Sequence, residues 1–470
     1  MRRRLIRPSS TTRLGGAALL AMWLGATAPG TAALAEQVRV SLDQAYSIGR
    51  TAVAQRNYPL AFAVATGLLD ANPKDPRALT LMAASAPHVG QPKQGRLAAR
   101  DAYRLSPTKA RKREAALYAA VAAAKEERSL TAQLWLRRAY QNSETEQHRS
   151  SIGRQYRQYA RAAPLKLSFA ASVAPSSNLN GGAESQFLLI DGILPIGVLS
   201  GSAQALDGLR ATVRGRLSYT LSESPTHKTT LGIAGSVSRV RLSSGARALA
   251  PNVENSDLGQ TQISASLTHQ IAHKGRLIPD TYSVALGQTW YGGSKLSTYG
   301  SLDLGRSFKL SDTTLLRAGV TQTFQSLELQ QDDQQITSLR FNILHRLPSS
   351  DLLRAGLRVS KAHSDDDNDA YTALTATLGY ERAAPIGPVT LSTSLSYTDT
   401  RYDSFAVGFI SVPGGRQDQS TQARLGLALK DISYLGFVPQ LDIDHTRTKS
   451  NISRFERRTS GVGLSFVSAF

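Results

Sequence analysis

Apolar and polar residues alternate along most of the chain from Leu165 to Phe470, in a long series of short segments. A period of two predicts a β-strand with one apolar and one polar face. A soluble sandwich shows the same alternation, but its repetition over about 300 residues, in strands of about ten residues or more, is typical of an outer-membrane β-barrel. In one such segment the apolar parity holds Leu209, Ala211, Val213, Gly215, Leu217, Tyr219 and Leu221, and the polar parity holds Arg210, Thr212, Arg214, Arg216, Ser218 and Thr220.

The alternating segments divide into fourteen predicted strands, an even number, as in single-chain bacterial barrels. They lie near 165–175, 206–221, 229–242, 257–272, 280–292, 296–310, 313–327, 335–347, 352–363, 371–382, 388–400, 419–432, 435–447 and 456–470.

The connections between the predicted strands indicate how the barrel is oriented. Tight turns suit the periplasmic end of such a barrel and longer connections suit the outside, and the two kinds alternate along this chain. Tight turns are expected at 311–312, 348–351 and 433–435, and longer connections at 173–205, 243–255 and 401–418. Both ends of the barrel region are therefore expected in the periplasm. We interpret the aromatic residues Phe466 and Phe470 as a C-terminal insertion signal.

The period becomes helical at 38–163, where alanine, leucine and arginine dominate. Segments 61–73 (AFAVATGLLDANP) and 95–107 (GRLAARDAYRLSP) match at an offset of 34 residues, which is the tetratricopeptide period. A third, degenerate copy is expected at 115–140. Such repeats predict a small peptide-binding solenoid or a docking collar, with Asn57, Tyr58 and Tyr103 as candidate client surface. A plain helical bundle is the alternative.

The start of the chain has the features of an export signal. A short apolar core at 14–28 is followed by the small-x-small cleavage site Ala33-Leu34-Ala35. The basic region before the core contains Arg2, Arg3, Arg4, Arg7 and Arg13. No later stretch has the roughly 18 consecutive apolar residues of a transmembrane helix. We therefore expect a signal peptide at 1–35, periplasmic helical repeats at 36–163 and an outer-membrane barrel at 164–470.

Composition excludes several kinds of site and indicates which partners to expect. Cysteine is absent, which excludes disulfides, a thiol nucleophile, a thiolate metal site and a lipid anchor on cysteine. The formal net charge of +20 predicts anionic partners such as lipopolysaccharide, an acidic polymer or an acidic protein. Nucleic acid is the weakest candidate, because the chain has no binding motif and carries an export signal.

Catalytic signals are poor. The chain has no G-x-S-x-G, no H-E-x-x-H and no phosphate-cradling loop, and its eight histidines show no ligand spacing. We therefore predict no enzymatic activity, no cofactor and no metal. The acidic segment 365–369 is interpreted as a solvated loop tip, with a calcium site as the alternative.

Arginine dominates the polar face of the predicted strands. The groups on this face are Arg210, Arg214, Arg216, Arg317, Arg340, Arg346, Arg354, Arg358, Arg424 and Lys430, together with Asp303, Asp442 and Asp444. Burying them in lipid is prohibitive, so the interior is expected to be wet or plugged. Two interpretations stay open: a polar wall stiffened by charge pairs, and an electropositive conduit for an anionic polymer or an unfolded chain. Arg239 and Arg241 fall on the apolar parity, where they would meet lipopolysaccharide phosphates or mark a bulge or frayed strand end.

The first predicted strand ends in a short motif, Pro175, Ser177, Asn178 and Asn180, within the sequence APSSNLNG. A first barrel strand that ends in P-x-S-N-hydrophobic-N, directly after a short tetratricopeptide domain, resembles the surface lipoprotein assembly modifier (Slam) family. The resemblance extends over essentially the whole mature chain, although the helical region is short. It implies periplasmic repeats, a fourteen-stranded barrel, and a translocon that moves lipoproteins, or soluble proteins such as haem-binding carriers, across the outer membrane.

Three functions remain open, and we favour the client-protein translocon that the resemblance implies. An exopolysaccharide exporter is the second, but a longer repeat array and a wider barrel are expected there. A passive porin is the third, but a porin needs no helical domain. The expected partners are the client, the outer membrane with its lipopolysaccharide, and the barrel-assembly machinery that inserts the barrel. The protein is expected to be a monomer.

Overall fold

The structure is a computed structural model that describes residues 40–191, 197–275, 278–328 and 332–468. The export signal expected at 1–35 and the terminal Phe470 lie outside these residues. Within them the chain forms a run of helices and then strands that close into one barrel. None of the described helices is both long and apolar enough to cross a membrane.

Seven α-helices precede the barrel in the described part of the chain, and most begin at a side chain that caps the helix. Ser41, Asp75 and Thr108 each accept a hydrogen bond from a backbone N–H of the following first turn, which satisfies a donor that the helix itself leaves unpaired. The helices are α1 (Leu42–Ala54), α2 (Tyr58–Ala71), α3 (Pro76–Ser85), α4 (Pro92–Leu105), α5 (Lys109–Lys125), α6 (Ser129–Gln141) and α7 (Glu146–Ala162).

Alanine forms much of the helical core, because its small side chain lets neighbouring helices approach closely. Ala65 of α2 and Ala99 of α4, the matched positions of the two 34-residue segments, are both fully buried. One apolar cluster extends from Tyr46 in α1 to Ile152 in α7 and includes residues of all seven helices. Each helix packs on the next in chain order. The assignment to the tetratricopeptide class stays a prediction.

The described strands form a closed antiparallel barrel of fourteen strands. They are β1 (Leu165–Ser176), β2 (Gly208–Glu223), β3 (His227–Leu242), β4 (Gln260–Ile271), β5 (Asp280–Tyr291), β6 (Ser294–Lys309), β7 (Thr314–Leu327), β8 (Asp332–Arg346), β9 (Leu352–Ser364), β10 (Tyr371–Glu381), β11 (Val389–Tyr402), β12 (Arg416–Leu429), β13 (Phe437–Ser450) and β14 (Arg457–Ser468). Each strand pairs with its chain neighbours, and β1 closes on β14. The predicted fold class is confirmed as a helical region followed by a fourteen-stranded antiparallel barrel, and every predicted strand overlaps an observed one.

The strands separate two surfaces of opposite polarity. On β2, Leu209, Val213 and Leu217 are exposed on the outer wall, whereas Arg210 and Arg214 line the lumen. A continuous apolar belt on an outer wall is favourable against lipid and unfavourable against water. The belt also includes Phe169, Ile233, Ile263, Leu286, Leu304, Phe324, Phe341, Leu357, Leu378, Leu395, Ile443 and Leu464.

The two ends of the barrel differ in their connections. Short turns at 224–226, 310–313 and 347–351 lie at the end that carries the helices, since only Ala163 and Pro164 separate α7 from β1. The long connections at 177–207, 243–259 and 403–415 lie at the opposite, outer end. One outer connection is short: Gly292 and Gly293 join β5 to β6 with φ angles of 58° and 83°, which glycine adopts without strain.

Candidate functional site

The barrel encloses a cavity of about 900 Å³ whose wall is rich in arginine. Residues two apart on a strand share a face, so the alternation of the sequence aims these side chains inward. They come from opposite sides of the barrel: Arg210 and Arg214 from β2, Arg317 from β7, Arg354 from β9 and Arg424 from β12. Arg340 and Arg358 line a second lumen cavity of about 430 Å³, and Arg216 shares the parity of Arg210 and Arg214 on β2.

Few of these arginines are neutralised. Arg354 forms an ion pair with Glu381 at 2.7 Å, and Arg340 pairs with Asp303. The lumen carboxylates Asp442 and Asp444 also line the larger cavity. Among the described residues no ion pair is formed by Arg214, Arg216, Arg317, Arg358 or Arg424. Since a cavity with low-dielectric walls concentrates the field of its charges, this lumen attracts anionic groups.

The residues of the sequence motif shape the first outer connection, 177–207, which we call the outer loop. Pro175 is the penultimate residue of β1. The hydroxyl oxygen of Ser177 accepts a hydrogen bond from the backbone N–H of Ser460 at 2.9 Å, which ties the loop to β14. Asn178 is only 3 % exposed. Its amide donates to the carbonyl of Gly182 at 2.8 Å and accepts from the N–H of Gly182 at 3.0 Å.

Asn180 holds the two ends of the outer loop together. Its Nδ2 donates to the carbonyl oxygens of Ser202 at 2.9 Å and Gln204 at 2.8 Å. Its Oδ1 accepts from the N–H groups of Leu206 at 3.0 Å and Gly182 at 3.2 Å. One side chain therefore satisfies four backbone groups that belong to no sheet. The motif acts in this structure as the framework of the outer loop.

Two apolar clusters join the outer connections into a cap. In the first, Leu179 and Leu206 of the outer loop pack with Leu242 at the end of β3. In the second, Ile190, Phe405 and Ile452 come from three different connections and pack together. The outer end of the barrel therefore carries a packed cap rather than separate loops.

Arg416, the first residue of β12, lies against the aromatic rings of the second cluster. Its guanidinium carbon is 3.4 Å from the ring centroid of Phe455 and 4.7 Å from that of Tyr402. Its Nε is also 3.1 Å from a carboxylate oxygen of Asp418, and the two charged side chains are 13 % and 12 % exposed. Cation–π contacts strengthen when the charge is desolvated. Arg416 thus joins the β11–β12 and β13–β14 connections.

The helical region contains a groove of about 980 Å³ between α1, α3 and α5. Its lining residues recur with a spacing of 34: Asp43, Arg77 and Arg111; Tyr46, Thr80 and Glu114; Arg50, Ala84 and Tyr118. Equivalent positions of successive repeats face the same side because each repeat has the same geometry. The 34-residue period is thus the sequence signal that could have identified the groove. The prediction of Asn57, Tyr58 and Tyr103 as client surface did not use this signal.

At one end of the groove, aromatic and charged side chains are tightly packed. The hydroxyl of Tyr46 donates to Asp75, and the guanidinium of Arg77 lies 3.9 Å from the Tyr46 ring centroid. Burial acts to raise the pKa of Asp75, but the hydrogen bonds from Tyr46 and from the Arg77 amide lower it more, so that it lies below its usual value.

Elsewhere in the groove, two cations are available to a ligand. Burial and the neighbouring Glu114, to which its hydroxyl is hydrogen-bonded, raise the pKa of Tyr118 to about 12. Arg50 and Arg111 are exposed and form no ion pair within the described part of the chain. The groove therefore offers two unneutralised cations to an extended segment.

The three residues predicted as client surface have local structural roles. Asn57 caps α2 through a hydrogen bond from the N–H of Leu60 at 3.3 Å. Tyr58 stacks on His88 with ring centroids 3.8 Å apart. Tyr103 packs edge-on against Trp135 at 5.5 Å. None of the three lines the groove, so we take the groove between α1, α3 and α5 as the candidate client surface.

The two arginines on the apolar parity of β3 lie on the outer wall. Arg239 donates to the carbonyl oxygens of Ser238 at 2.9 Å and Gln260 at 3.4 Å. The pairing of β2 with β3 is regular around Arg239 and Arg241, and its register shifts only between Thr220 and Ser222, at the other end. The bulge offered as an explanation for these arginines is therefore wrong. A contact with lipopolysaccharide phosphates stays a prediction.

Two further predictions, the acidic loop and the C-terminal insertion signal, fall on residues that the structure describes. In the acidic segment 365–369, burial and the neighbouring Asp366 raise the pKa of Asp369. The described residues contain no group of three or more His, Asp or Glu side chains placed to hold a metal ion. Phe466 of the expected insertion signal points to the outer wall, where 45 % of it is exposed.

Comparisons with known proteins bear mainly on the barrel. The family model described as surface lipoprotein assembly modifier matches residues 286–470, which confirms the resemblance to this family over that part of the chain. No curated protein matches the chain. A closed barrel with an apolar outer belt and a match to this family places the protein in the Gram-negative outer membrane, with its helical region in the periplasm.

The chain is similar to several solved outer-membrane protein structures at low identity and low TM-score. OccAB2 from Acinetobacter baumannii is 10 % identical, with a TM-score of 0.34, and the match covers 64 % of this chain and 97 % of that one. A BenF-like porin from Pseudomonas fluorescens is 9 % identical, with a TM-score of 0.34, over 65 % and 98 % of the two chains. A loop-deletion mutant of the Vibrio cholerae outer-membrane protein OmpT is 9 % identical, with a TM-score of 0.30, over 64 % and 99 %.

Proposed function

We propose that this protein is an outer-membrane translocon that delivers client proteins, either lipoproteins or soluble carriers, to the cell surface. The match of residues 286–470 to the surface lipoprotein assembly modifier family carries the proposal. The groove of the helical region and the arginine-rich lumen of the barrel support it.

The groove is the site where the client is received. Its volume of about 980 Å³ suits an extended segment rather than a folded domain. Arg50 and Arg111 offer charge-assisted hydrogen bonds, which are strongest to carboxylates. The expected ligand is therefore a client segment with acidic side chains that is held before it reaches the barrel.

A comparison of cells with and without the protein tests the proposal. Surface proteins are cleaved with an external protease, and the cleaved proteins and the medium are analysed by mass spectrometry. The expected result is that specific proteins are lost from the surface or the medium and remain in the periplasm. An unchanged profile in both fractions overturns the proposed function.

Charge reversal tests the role of the groove. Arg50→Glu with Arg111→Glu should reduce client display about tenfold, because it replaces attraction by repulsion of an acidic segment. Lys74→Glu with Arg104→Glu is the matched control, since both residues are exposed outside the groove and the change in net charge is the same. Equal effects of the two variants would mean that total charge, and not the groove, matters.

The lumen supports a second candidate, the export of an acidic polymer. The unpaired arginines of the lumen, such as Arg214 and Arg317, are the observation that favours it. Loss of extracellular polymer from cells that lack the protein, with an unchanged protein profile, would favour this candidate over the translocon. An open-channel conductance of the purified barrel would instead favour a porin.

A further inference from the structure

Three basic side chains lie together on the outer wall of the barrel, close to its outer end. On β13, Arg447 and Lys449 follow Ile443 of the apolar belt on the same parity. On β14, Arg458 has the parity of the belt residue Leu464. The pairing of β13 with both of its neighbours is regular over this stretch, so all three basic side chains point outward, and all three are exposed. We call them the outer basic patch.

The patch brings like charges together without neutralising all of them. Arg447 lies directly opposite Arg458 in the pairing of β13 with β14, and such cross-strand neighbours have Cβ atoms about 5 Å apart. Lys449 follows Arg447 on the same face, about 7 Å further along the strand. Glu184 of the outer loop pairs with Arg458 at 3.0 Å, but within the described part of the chain Arg447 and Lys449 form no ion pair. Since like charges directly opposite each other destabilise a sheet, an anion bound between them would stabilise this part of the wall.

The patch lies near the outer edge of the apolar belt. Arg458 is eight residues from Phe466, the described belt residue of β14 nearest the periplasm. At about 3.3 Å per residue and a strand tilt of about 40°, eight residues rise about 20 Å along the barrel axis. The apolar band of such barrels is about 25 Å tall, so these charges lie close to the outer interface. A charge on the lipid face costs least at that depth.

The membrane itself supplies an anion at this depth. The outer leaflet of a Gram-negative outer membrane is lipopolysaccharide, whose lipid A carries phosphate groups where the acyl chains end. Arginine binds phosphate through two parallel N–H donors, and lysine binds it through its point charge. A lipid phosphate is also held at the wall by its own acyl chains, which pack on the belt below, whereas a free phosphate ion has no such second contact. The position and the charge of the patch therefore favour a lipid phosphate.

A second pair of outward arginines lies at a similar height. Arg239 of β3 is eight residues from Leu231, an exposed belt residue near the periplasmic end of that strand, and Arg241 follows on the same parity. Neither arginine forms an ion pair with another described residue. Unpaired cations thus recur at one depth on two parts of the wall, as expected when the ligand is a layer of lipid and not a single soluble molecule.

We propose that the outer basic patch binds a phosphate group of lipopolysaccharide through Arg447 and Lys449, with Arg458 beside them, and so fixes the depth of the barrel in the outer leaflet. The ligand is a membrane lipid and not a client, so the site goes beyond the proposed function. It is the same whether the barrel carries a protein or an acidic polymer.

Titration of the purified protein with lipid A tests the patch. The chain has no cysteine, so Ser460→Cys places a single environment-sensitive fluorophore on the outer wall beside the patch. Arg447→Gln with Lys449→Gln, made in the labelled protein, removes two charges and keeps polar side chains. Lys74→Gln with Arg104→Gln, at exposed positions of the helical region, is the matched control, because the change in net charge is the same.

The lipid A concentration that gives half of the fluorescence change is the readout. Neutralising the patch should raise it about thirtyfold, since each cation near an anionic lipid surface contributes about fivefold, and the control should leave it unchanged. Lipid A without phosphates should bind the unmodified patch as weakly as lipid A binds the variant. Equal values for the variant and the unmodified protein, with heat-modifiable mobility retained in both, overturn the inference, as does the absence of any response. Inorganic phosphate that displaces lipid A at an equal concentration would identify a free-phosphate site and also overturn it.

A second measurement needs no lipid A. Nitroxide labels on the single cysteines of Arg447→Cys, Ile443→Cys and Phe409→Cys report depth in phospholipid vesicles through their accessibility to oxygen and to a water-soluble nickel complex. Phe409 is 98 % exposed in the outer connection 403–415 and represents water, and Ile443 represents the apolar belt. The label at position 447 should lie between these two, at the level of the lipid phosphates. Accessibility equal to that of either reference would place the patch away from the phosphates and overturn the inference.

Discussion

Replacing Asn180 by alanine tests how the outer loop is held. The asparagine side chain makes four hydrogen bonds to backbone groups on both ends of the loop. Alanine makes none of them, and the backbone groups that it leaves are only partly accessible to water. Nothing in the barrel wall depends on these bonds, so the strands should keep their pairing.

The expected loss in the stability of the outer loop follows from the number of hydrogen bonds that Asn180 makes. A hydrogen bond contributes about 1 kcal/mol net to stability, and a buried group left without a partner costs about 1–3 kcal/mol. Since water replaces part of what is lost, we expect the free energy of opening of the loop to fall by about 2–4 kcal/mol. At about 1.4 kcal/mol per factor of ten, opening becomes about 30- to 700-fold more frequent.

Amide hydrogen exchange of the purified barrel measures this opening. The informative amides are those of Leu179, bonded to the carbonyl of Leu206 at 2.7 Å, and Ala205, bonded to the carbonyl of Ala183 at 3.0 Å. Both should exchange faster in the variant, while amides in the strands keep their rates. Heat-modifiable mobility on gels shows that the barrel remains folded.

A control variant and a functional assay complete the experiment. Ser185→Ala removes one local bond in the same loop, from the N–H of Phe187 at 3.0 Å, and should change exchange by less than about tenfold. The double variant Asn178→Ala with Asn180→Ala should also reduce client display. If Asn180→Ala exchanges like the unmodified protein, the reasoning that makes this residue the framework of the loop is refuted.

Two further substitutions test the helical region and the cap. Asp75→Ala should cost about 1–2 kcal/mol, because Asp75 caps α3. Its pKa is lower in the folded chain than the usual 3.8, so its contribution is present above about pH 4 and is lost as the pH falls through the lowered value. Helical melting followed by circular dichroism at pH 7 and pH 3 measures this, with exposed Asp70→Ala as control; an equal effect of both variants would contradict the capping argument. Arg416→Ala leaves Asp418 nearly buried and unpaired and should weaken the cap by about 3 kcal/mol, whereas Arg401→Ala, at a pair whose arginine is 68 % exposed, should cost less than about 1 kcal/mol. Protease cleavage within 403–415 is the readout, and equal cleavage of the two variants would refute the role of Arg416.

The sequence by itself determined the secondary structure and the class of fold. A strand between lipid and a polar lumen must alternate residue by residue, so every strand is visible locally; the segments predicted near 280–292 and 352–363 end within one residue of β5 and β9. The helices followed from the change of period, and the family resemblance from one short motif. The residues that line the groove could also be identified from the sequence, because Asp43, Arg77 and Arg111 recur with a spacing of 34 residues.

Only the tertiary structure decided the features that depend on distant contacts. Alternation assigns the face of a residue but not its neighbour in the next strand, so the closure of β1 on β14 has no local signature. The cap likewise depends on residues as far apart as Ile190 and Ile452. The packing of Tyr58 on His88 and of Tyr103 on Trp135 was likewise decided by how the helices meet; the client surface predicted at these two tyrosines stays a prediction. Period and composition are local properties of a chain, whereas strand closure and loop packing depend on contacts between residues far apart in the sequence.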